Sequence, residues 1–146
     1  MQVGDVVYLR NIIFEGREVD HAFDKGRPCV YIGDIDDKMY FVPLTNTSTM
    51  KYKVPIIISP NKRNGLRKEC HPNFKQIIEK RTSFYEVFGY LTEQEMIKFF
   101  EDALLYLSEI RRETDNICIE LAKEYLDKHN VKYKDKDIVK QDKKKK

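Results

Sequence analysis

Two dense apolar runs, Pro28 to Ile35 and Met39 to Leu44, flank the polar stretch Asp36-Asp37-Lys38, and no other feature of the chain limits its fold so sharply. Runs of this length, rich in Val, Ile, Tyr and Phe and split by a short polar turn, predict an antiparallel β-hairpin. Neither run alternates cleanly between apolar and polar residues, so both strands are expected to be covered on both faces. Covering them takes a second layer, and an apolar content of 41% over 146 residues is enough for one core and one domain.

The remaining elements follow from local signals. Val6 to Leu9, after the turn-forming Gly4-Asp5, predicts a first strand, and Asn11 to Gly26 lacks periodicity and reads as a long loop. Val54 to Ser59 predicts a further strand, with Pro55 confining it to an edge or bulge. Pro60 to Gly65 reads as a basic turn, and Phe74 to Glu79 and Ser83 to Val87 as short closing strands. Thr92-Glu93-Gln94-Glu95 has the form of a capping box, and Met96, Phe100, Ala103, Leu104 and Leu107 recur after it at helical spacing. Glu113 to Asn116 offers a second N-cap before the stripe Ile117, Leu121, Ala122 and Tyr125. The expected fold class is therefore α+β. A small antiparallel β-barrel of five to seven strands spans about residues 1–90, helices follow over about 92–128, and the single domain is 1–133. Residues 134–146 read as a basic disordered tail.

Several function classes are disfavoured. The longest apolar runs fall far short of the ~18 residues that span a bilayer. The N-terminus has no basic stretch followed by an apolar one, so the expectation is a cytoplasmic chain without membrane contact. Cys29, Cys70 and Cys118 are odd in number and widely spaced, which suits reduced thiols. No glycine-rich phosphate loop occurs. A zinc site from His21, Cys70 and His71 has no supporting spacing, so neither metal nor cofactor is expected.

Charge is segregated along the chain. The net charge is only +3, yet Met1 to Met50 carries −3, Lys51 to Thr82 carries +7, Ser83 to Leu126 carries −6 and Asp127 to Lys146 carries +5. A basic segment inside the folded part suits a polyanion partner better than the net charge does, although a solvated surface accounts for it equally well. The residues entering the first hairpin strand and leaving the second lie side by side, which sets Arg27 beside the Thr45-Asn46-Thr47-Ser48 cluster. A guanidinium next to hydroxyls can grip the non-bridging oxygens of a phosphodiester and meet negative charge as it builds. The plainer alternative is a polar turn beside a surface cation.

Four segments in order resemble the PemK/MazF toxin superfamily: Gly4-Asp5-Val6-Val7, Gly26-Arg27-Pro28-Cys29-Val30, Val42-Pro43-Leu44-Thr45, and Gly89-Tyr90-Leu91-Thr92-Glu93-Gln94-Glu95-Met96. The resemblance covers about Gly4 to Leu107. It implies a homodimeric, SH3-like barrel that cuts single-stranded RNA without a metal, the ribose 2′-hydroxyl attacking its own phosphate to leave a 2′,3′-cyclic phosphate and a 5′-hydroxyl. Carried over by position, Arg27 would stabilise the phosphorane and protonate the leaving oxygen, and Thr45 would hold a non-bridging oxygen or the 2′-hydroxyl. Many members carry Ser directly after this Thr. Here Asn46 stands there, with Ser48 two further on, and both join the expected catalytic set. Pro43-Leu44-Thr45 followed by Lys51 and Lys53 is also similar to the ToxN/AbiQ branch, whose members are inhibited by repeat RNA, so the implied antitoxin is either protein or RNA.

The expected RNA-binding residues are Lys25, Lys51, Lys53, Lys62, Arg63, Arg67, Lys68 and His71, with Tyr52 and Phe74 as further rings, Phe74 fitting a core position better. An imidazole exchanges protons near neutral pH, which makes His71 a reserve acid or base, although a lone His in a basic loop is more simply a surface residue. Two other functions fit the same barrel: a non-catalytic topoisomerase poison resembling the CcdB-like proteins, and a plain RNA-binding module.

Overall fold

The computed structural model describes residues 1–9, 13–14, 17–18, 26–46, 56–74, 76–110 and 115–133, and of 13–14, 17–18, 46, 108–110 and 115–116 only the backbone. The hairpin is its centre. Strand β4 (Arg27–Ile35) pairs antiparallel with β5 (Lys38–Asn46), the first one residue and the second three residues longer than the apolar runs alone predict. The turn is also tighter: Lys38 already pairs with Ile35, leaving Asp36-Asp37 as the connection, with Asp36 at φ 55°, a conformation Asp tolerates. β1 (Asp5–Leu9) lies on the other side of β4, with Val6 opposite Val30 and Leu9 opposite Arg27. The expected loop over Asn11 to Gly26 holds a hairpin of two-residue strands, β2 (Ile13–Phe14) and β3 (Arg17–Glu18); its other residues up to Lys25 lie outside the described residues.

One strand serves two partners, and that curls the sheet. The first half of β5 pairs with β7 (Ile78–Arg81), the second half with β6 (Cys70–Pro72), while β8 (Gly89–Tyr90) closes on β1. The strand path is β6-β5-β4-β1-β8, giving a curled antiparallel sheet with two helices, an α+β fold. A bulge falls between Tyr31 and Gly33. Gly33 has φ +135°, and a Cβ there would lie 2.9 Å from Leu121 Cδ2. Glycine thus supplies both the backbone conformation and the room for a helix to seat on the strand.

Both faces of the hairpin are covered, as the lack of alternation predicts. On one, Val6, Val30 and Val42 pack with Met96, Phe99, Phe100, Ala103 and Leu107; on the other, Val7, Leu9, Cys29, Tyr31 and Phe41 meet Tyr85. Helix α1 (Glu93–Ile110) starts on the expected capping box: the Thr92 N–H donates to Glu95 Oε1 at 2.9 Å and the Glu95 N–H to Thr92 Oγ1 at 3.2 Å. Helix α2 (Asp115–Lys128) buries Cys118, Leu121, Ala122 and Leu126. Among the described residues no helix is long and apolar enough to cross a membrane.

Three expected strands differ. Over the described part of Val54 to Ser59 the pairing is one bridge, Ile58 to Cys70. Phe74 is a fully buried turn residue rather than the start of a strand. The Asn73 N–H donates to Pro43 O and the Gln76 N–H to Asn73 O, which reverses the chain there before β7 begins at Ile78. Ser83 to Val87 takes no ladder partner; its neighbour Phe88 donates to Val6 O and pairing starts at Gly89. Apolar content alone does not make a strand in these places, because ladder partners distant in sequence decide which residues pair.

Candidate active site

The register sets a row of side chains across the open end of the hairpin. Leu9 lies opposite Arg27 and Thr45 opposite His71; the β4–β5 ladder is paired as far as Cys29 and Pro43, and its register extended by two residues brings Arg27 level with Thr45. Residues directly opposite one another share a face, so Leu9, Arg27, Thr45 and His71 form one cross-strand row. The next row inward, Val7, Cys29 and Pro43, is buried, whereas Arg27, Thr45 and His71 are half-buried.

Two prolines orient Arg27. The Asn73 N–H donates to Pro43 O at 2.8 Å, which turns the backbone of Pro43 toward β6 and that of the next residue, Leu44, toward β4. Opposite Leu44 stands Pro28, which has no N–H to give. Arg27 Nη1 donates to Leu44 O at 3.2 Å instead, so the guanidinium is held over the backbone that leads into Thr45. A guanidinium carries a planar fork of N–H donors that suits phosphate oxygens.

His71 sits on strand β6, not in a basic loop as the sequence suggests, because β6 pairs with the end of β5. Its Nδ1 lies 2.9 Å from Ile56 O. A carbonyl only accepts, so Nδ1 carries the hydrogen and the neutral ring keeps its lone pair on Nε2. In the adjacent row Asn46 pairs with Cys70, whose thiol is pushed up by burial, an effect the charge of Arg27 opposes. Such a thiol is a packing group rather than a nucleophile. All three cysteines are buried, and none of them forms a disulfide.

The basic residues divide. Lys62, Arg67 and Lys68 are exposed. Arg63 is held by Glu95 at 3.3 Å, so it braces the helix cap in addition to facing solvent. Their turn is built by two asparagines: Asn61 Oδ1 accepts from the N–H groups of Arg63 and Asn64, both at 2.8 Å, and buried Asn64 donates to Ser59 O while accepting from Leu66 N–H. Lys25, Ser48, Lys51 and Lys53 lie outside the described residues, as do Thr47, Tyr52 and His21. Phe74 is core, its ring 5.2 Å from Phe99. The exposed rings are others. Phe88 meets Tyr8 edge-on at 4.8 Å, and Tyr8 donates to Gly65 O. Burial raises the Tyr8 phenol while the charge of Arg67 works against that rise, so Arg67 stands near the ring pair. Sequence reading missed Phe88 because nothing in Ser83 to Phe88 marks which rings escape the core.

A groove of about 590 Å³ lies along Ile56, Ile57, Ile58, Leu91, Gln94 and Lys98, and includes none of Arg27, Thr45 or His71. Among the described residues no three His, Cys, Asp or Glu side chains are grouped to hold a metal ion. No family model, curated protein or solved structure matches this chain. The fold and row define an α+β protein with an arginine, a hydroxyl and an imidazole lined up at one end of a curled sheet.

Proposed function

We propose that this protein is an endoribonuclease that cleaves single-stranded RNA without a metal, leaving 2′,3′-cyclic phosphate and 5′-hydroxyl ends, and that it acts in the cytoplasm as the toxin of a toxin–antitoxin pair. The observation that carries the reading is the half-buried pair Arg27 and Thr45, with the guanidinium held by Leu44 O over the strand that bears the hydroxyl. A fixed cation meets the two charges of a phosphorane better than the single charge of the ground state, so its stabilisation grows toward the transition state. Thr45 Oγ1 orients a non-bridging oxygen or the 2′-hydroxyl, and Arg27 donates toward the departing 5′-oxygen. Exposed Lys62, Arg67 and Lys68 supply contacts to flanking phosphates. In the same reading the curled sheet is an SH3-like barrel, the protein is a homodimer, and its antitoxin is an acidic protein or a repeat RNA that covers the basic surface.

The test is incubation of the pure protein with mixed-sequence single-stranded RNA in EDTA, with the ends of the products identified chemically. Cyclic phosphate ends that vanish with Arg27→Ala are expected. Intact RNA under conditions where a control nuclease cuts overturns the reading. One observation favours a second reading, a non-catalytic protein inhibitor: Phe84 is 90% exposed beside exposed Val87, Phe88 and Tyr90, an apolar patch fit for a protein contact. Inhibition of DNA supercoiling by a protein that leaves RNA intact would select it.

A further inference from the structure

We infer that His71 is the proton acceptor that activates the 2′-hydroxyl, an assignment that rests on the ribonuclease reading above. Three observations carry it. His71 lies directly opposite Thr45, in the row that also contains Arg27. It is half-buried rather than enclosed in the core. Its Nδ1 is bonded to Ile56 O, and that bond fixes the tautomer in which Nε2 has the lone pair.

A 2′-hydroxyl is too weak an acid to attack phosphorus unaided, and neither a guanidinium nor a threonine hydroxyl accepts a proton at neutral pH. Nε2 does. In the step, the 2′-O–H bond breaks and its proton goes to Nε2 as the 2′-oxygen forms a bond to phosphorus. The P–O5′ bond then breaks with its electron pair on O5′, which takes a proton from water, or from Arg27, which regains one from solvent. The imidazolium returns its proton to solvent, so protons balance over the cycle. The charge formed on the ring is met by Ile56 O, since an Nδ1–H bond to a carbonyl strengthens when the ring is cationic. Of the ionisable groups near it, Arg27 lies in the same row on β4 and Cys70 precedes it on β6; burial pushes the Cys70 thiol up, which keeps it neutral.

His71→Asn is the discriminating variant, because the Asn amide can replace Nδ1–H toward Ile56 O while removing Nε2. With uncleavable RNA bearing a 2′-deoxy nucleotide at the scissile position, it is expected to lose far less binding than cleavage. Its cleavage of ordinary RNA in EDTA is expected to fall by about 100-fold or more, and the acidic limb of the wild-type pH–rate profile is expected to disappear. His71→Ala is expected to recover part of its rate in added imidazole. Full cleavage by His71→Asn alongside inactive Arg27→Ala overturns the His71 assignment and leaves the ribonuclease reading standing. A wild-type profile with no acidic limb overturns it too, even if His71→Asn fails to fold. Absence of wild-type cleavage in EDTA removes the underlying reading, and this one with it.

Discussion

Arg27 Nη1 donates to Leu44 O at 3.2 Å, in the place where Pro28 has no N–H to complete the ladder. A structural gap made by one residue is filled by the side chain of its neighbour, and this holds the guanidinium still. The bond ties the proposed catalytic group to the stability of the hairpin end, so the two roles can be separated by substitution.

Arg27→Ala is expected to abolish RNA cleavage and to destabilise the fold by about 1 kcal/mol, the cost of leaving a part-buried carbonyl without its donor. Arg27→Lys is expected to recover much of the stability, since an ammonium can still donate to Leu44 O, but little of the cleavage, since it lacks the planar fork. Thermal melts beside single-turnover cleavage check both. Equal losses of stability and activity in the two variants would show that the guanidinium only holds the strand.

Phe88→Ala is expected to weaken binding of uncleavable single-stranded RNA by roughly 1–3 kcal/mol, the range for loss of one base–aromatic stack. The exposed Phe88 ring is already braced edge-on by Tyr8 and so loses little freedom on stacking. Fluorescence anisotropy at fixed salt measures it. Unchanged binding together with loss of a protein contact would assign the Phe84–Tyr90 patch to a protein partner instead.

The hairpin and the helix start were legible because their determinants are local. Asp36-Asp37 stands between two runs that pair with each other, and the reciprocal bonds of Thr92 and Glu95 join residues three apart. From the hairpin alone, Arg27 and Thr45 fall together. His71 does not, because β6 is three residues long, ends in Pro72, and pairs with a strand far back in the chain. Nothing in Cys70-His71-Pro72 marks a strand until the far edge of β5 is known to outrun β7 and to need a second partner. Arg63 reads as an RNA contact from its basic turn, and only the approach of that turn to α1 reveals its bond to Glu95.

Gly33→Ala is expected to cost about 1–3 kcal/mol for the φ of +135° alone, with a further loss from the contact with Leu121. Leu121→Ala removes the obstructing methyl at its own cost as a buried residue. In a double-mutant cycle the combined loss is expected to be smaller than the sum of the single losses, because the clash is counted once. Additive losses would show that α2 moves aside freely and that the seat on the bulge is loose.

Glu95 and Asp102 lie on the same flank of α1, and the structure gives their acid responses opposite signs. Burial disfavours the charged form of Glu95, but the Thr92 N–H, the Thr92 side chain and Arg63 outweigh it and hold its carboxyl below the ordinary 4.5. A carboxylate with a lowered folded pKa stabilises the protein above its unfolded pKa, and that stabilisation is lost as pH falls through the folded pKa. Asp102 is 3% exposed, its Oδ2 has no hydrogen-bond partner, and Lys98 stands 3.7 Å from Oδ1. Burial, the largest influence, raises its carboxyl above the ordinary 3.8, against the pull of Lys98. A raised carboxyl favours the folded state when protonated and weighs against it when ionised, so the cost is present at neutral pH and fades as pH falls. Glu95→Gln is therefore expected to be less stable than wild type at pH 7, the gap closing on acidification. Asp102→Asn is expected to be more stable at pH 7, with its advantage shrinking as pH falls toward 4. Urea unfolding at pH 7, 5 and 3.5 measures both trends. An Asp102→Asn protein less stable than wild type at pH 7 would mean that the Lys98 pair outweighs the burial of the charge.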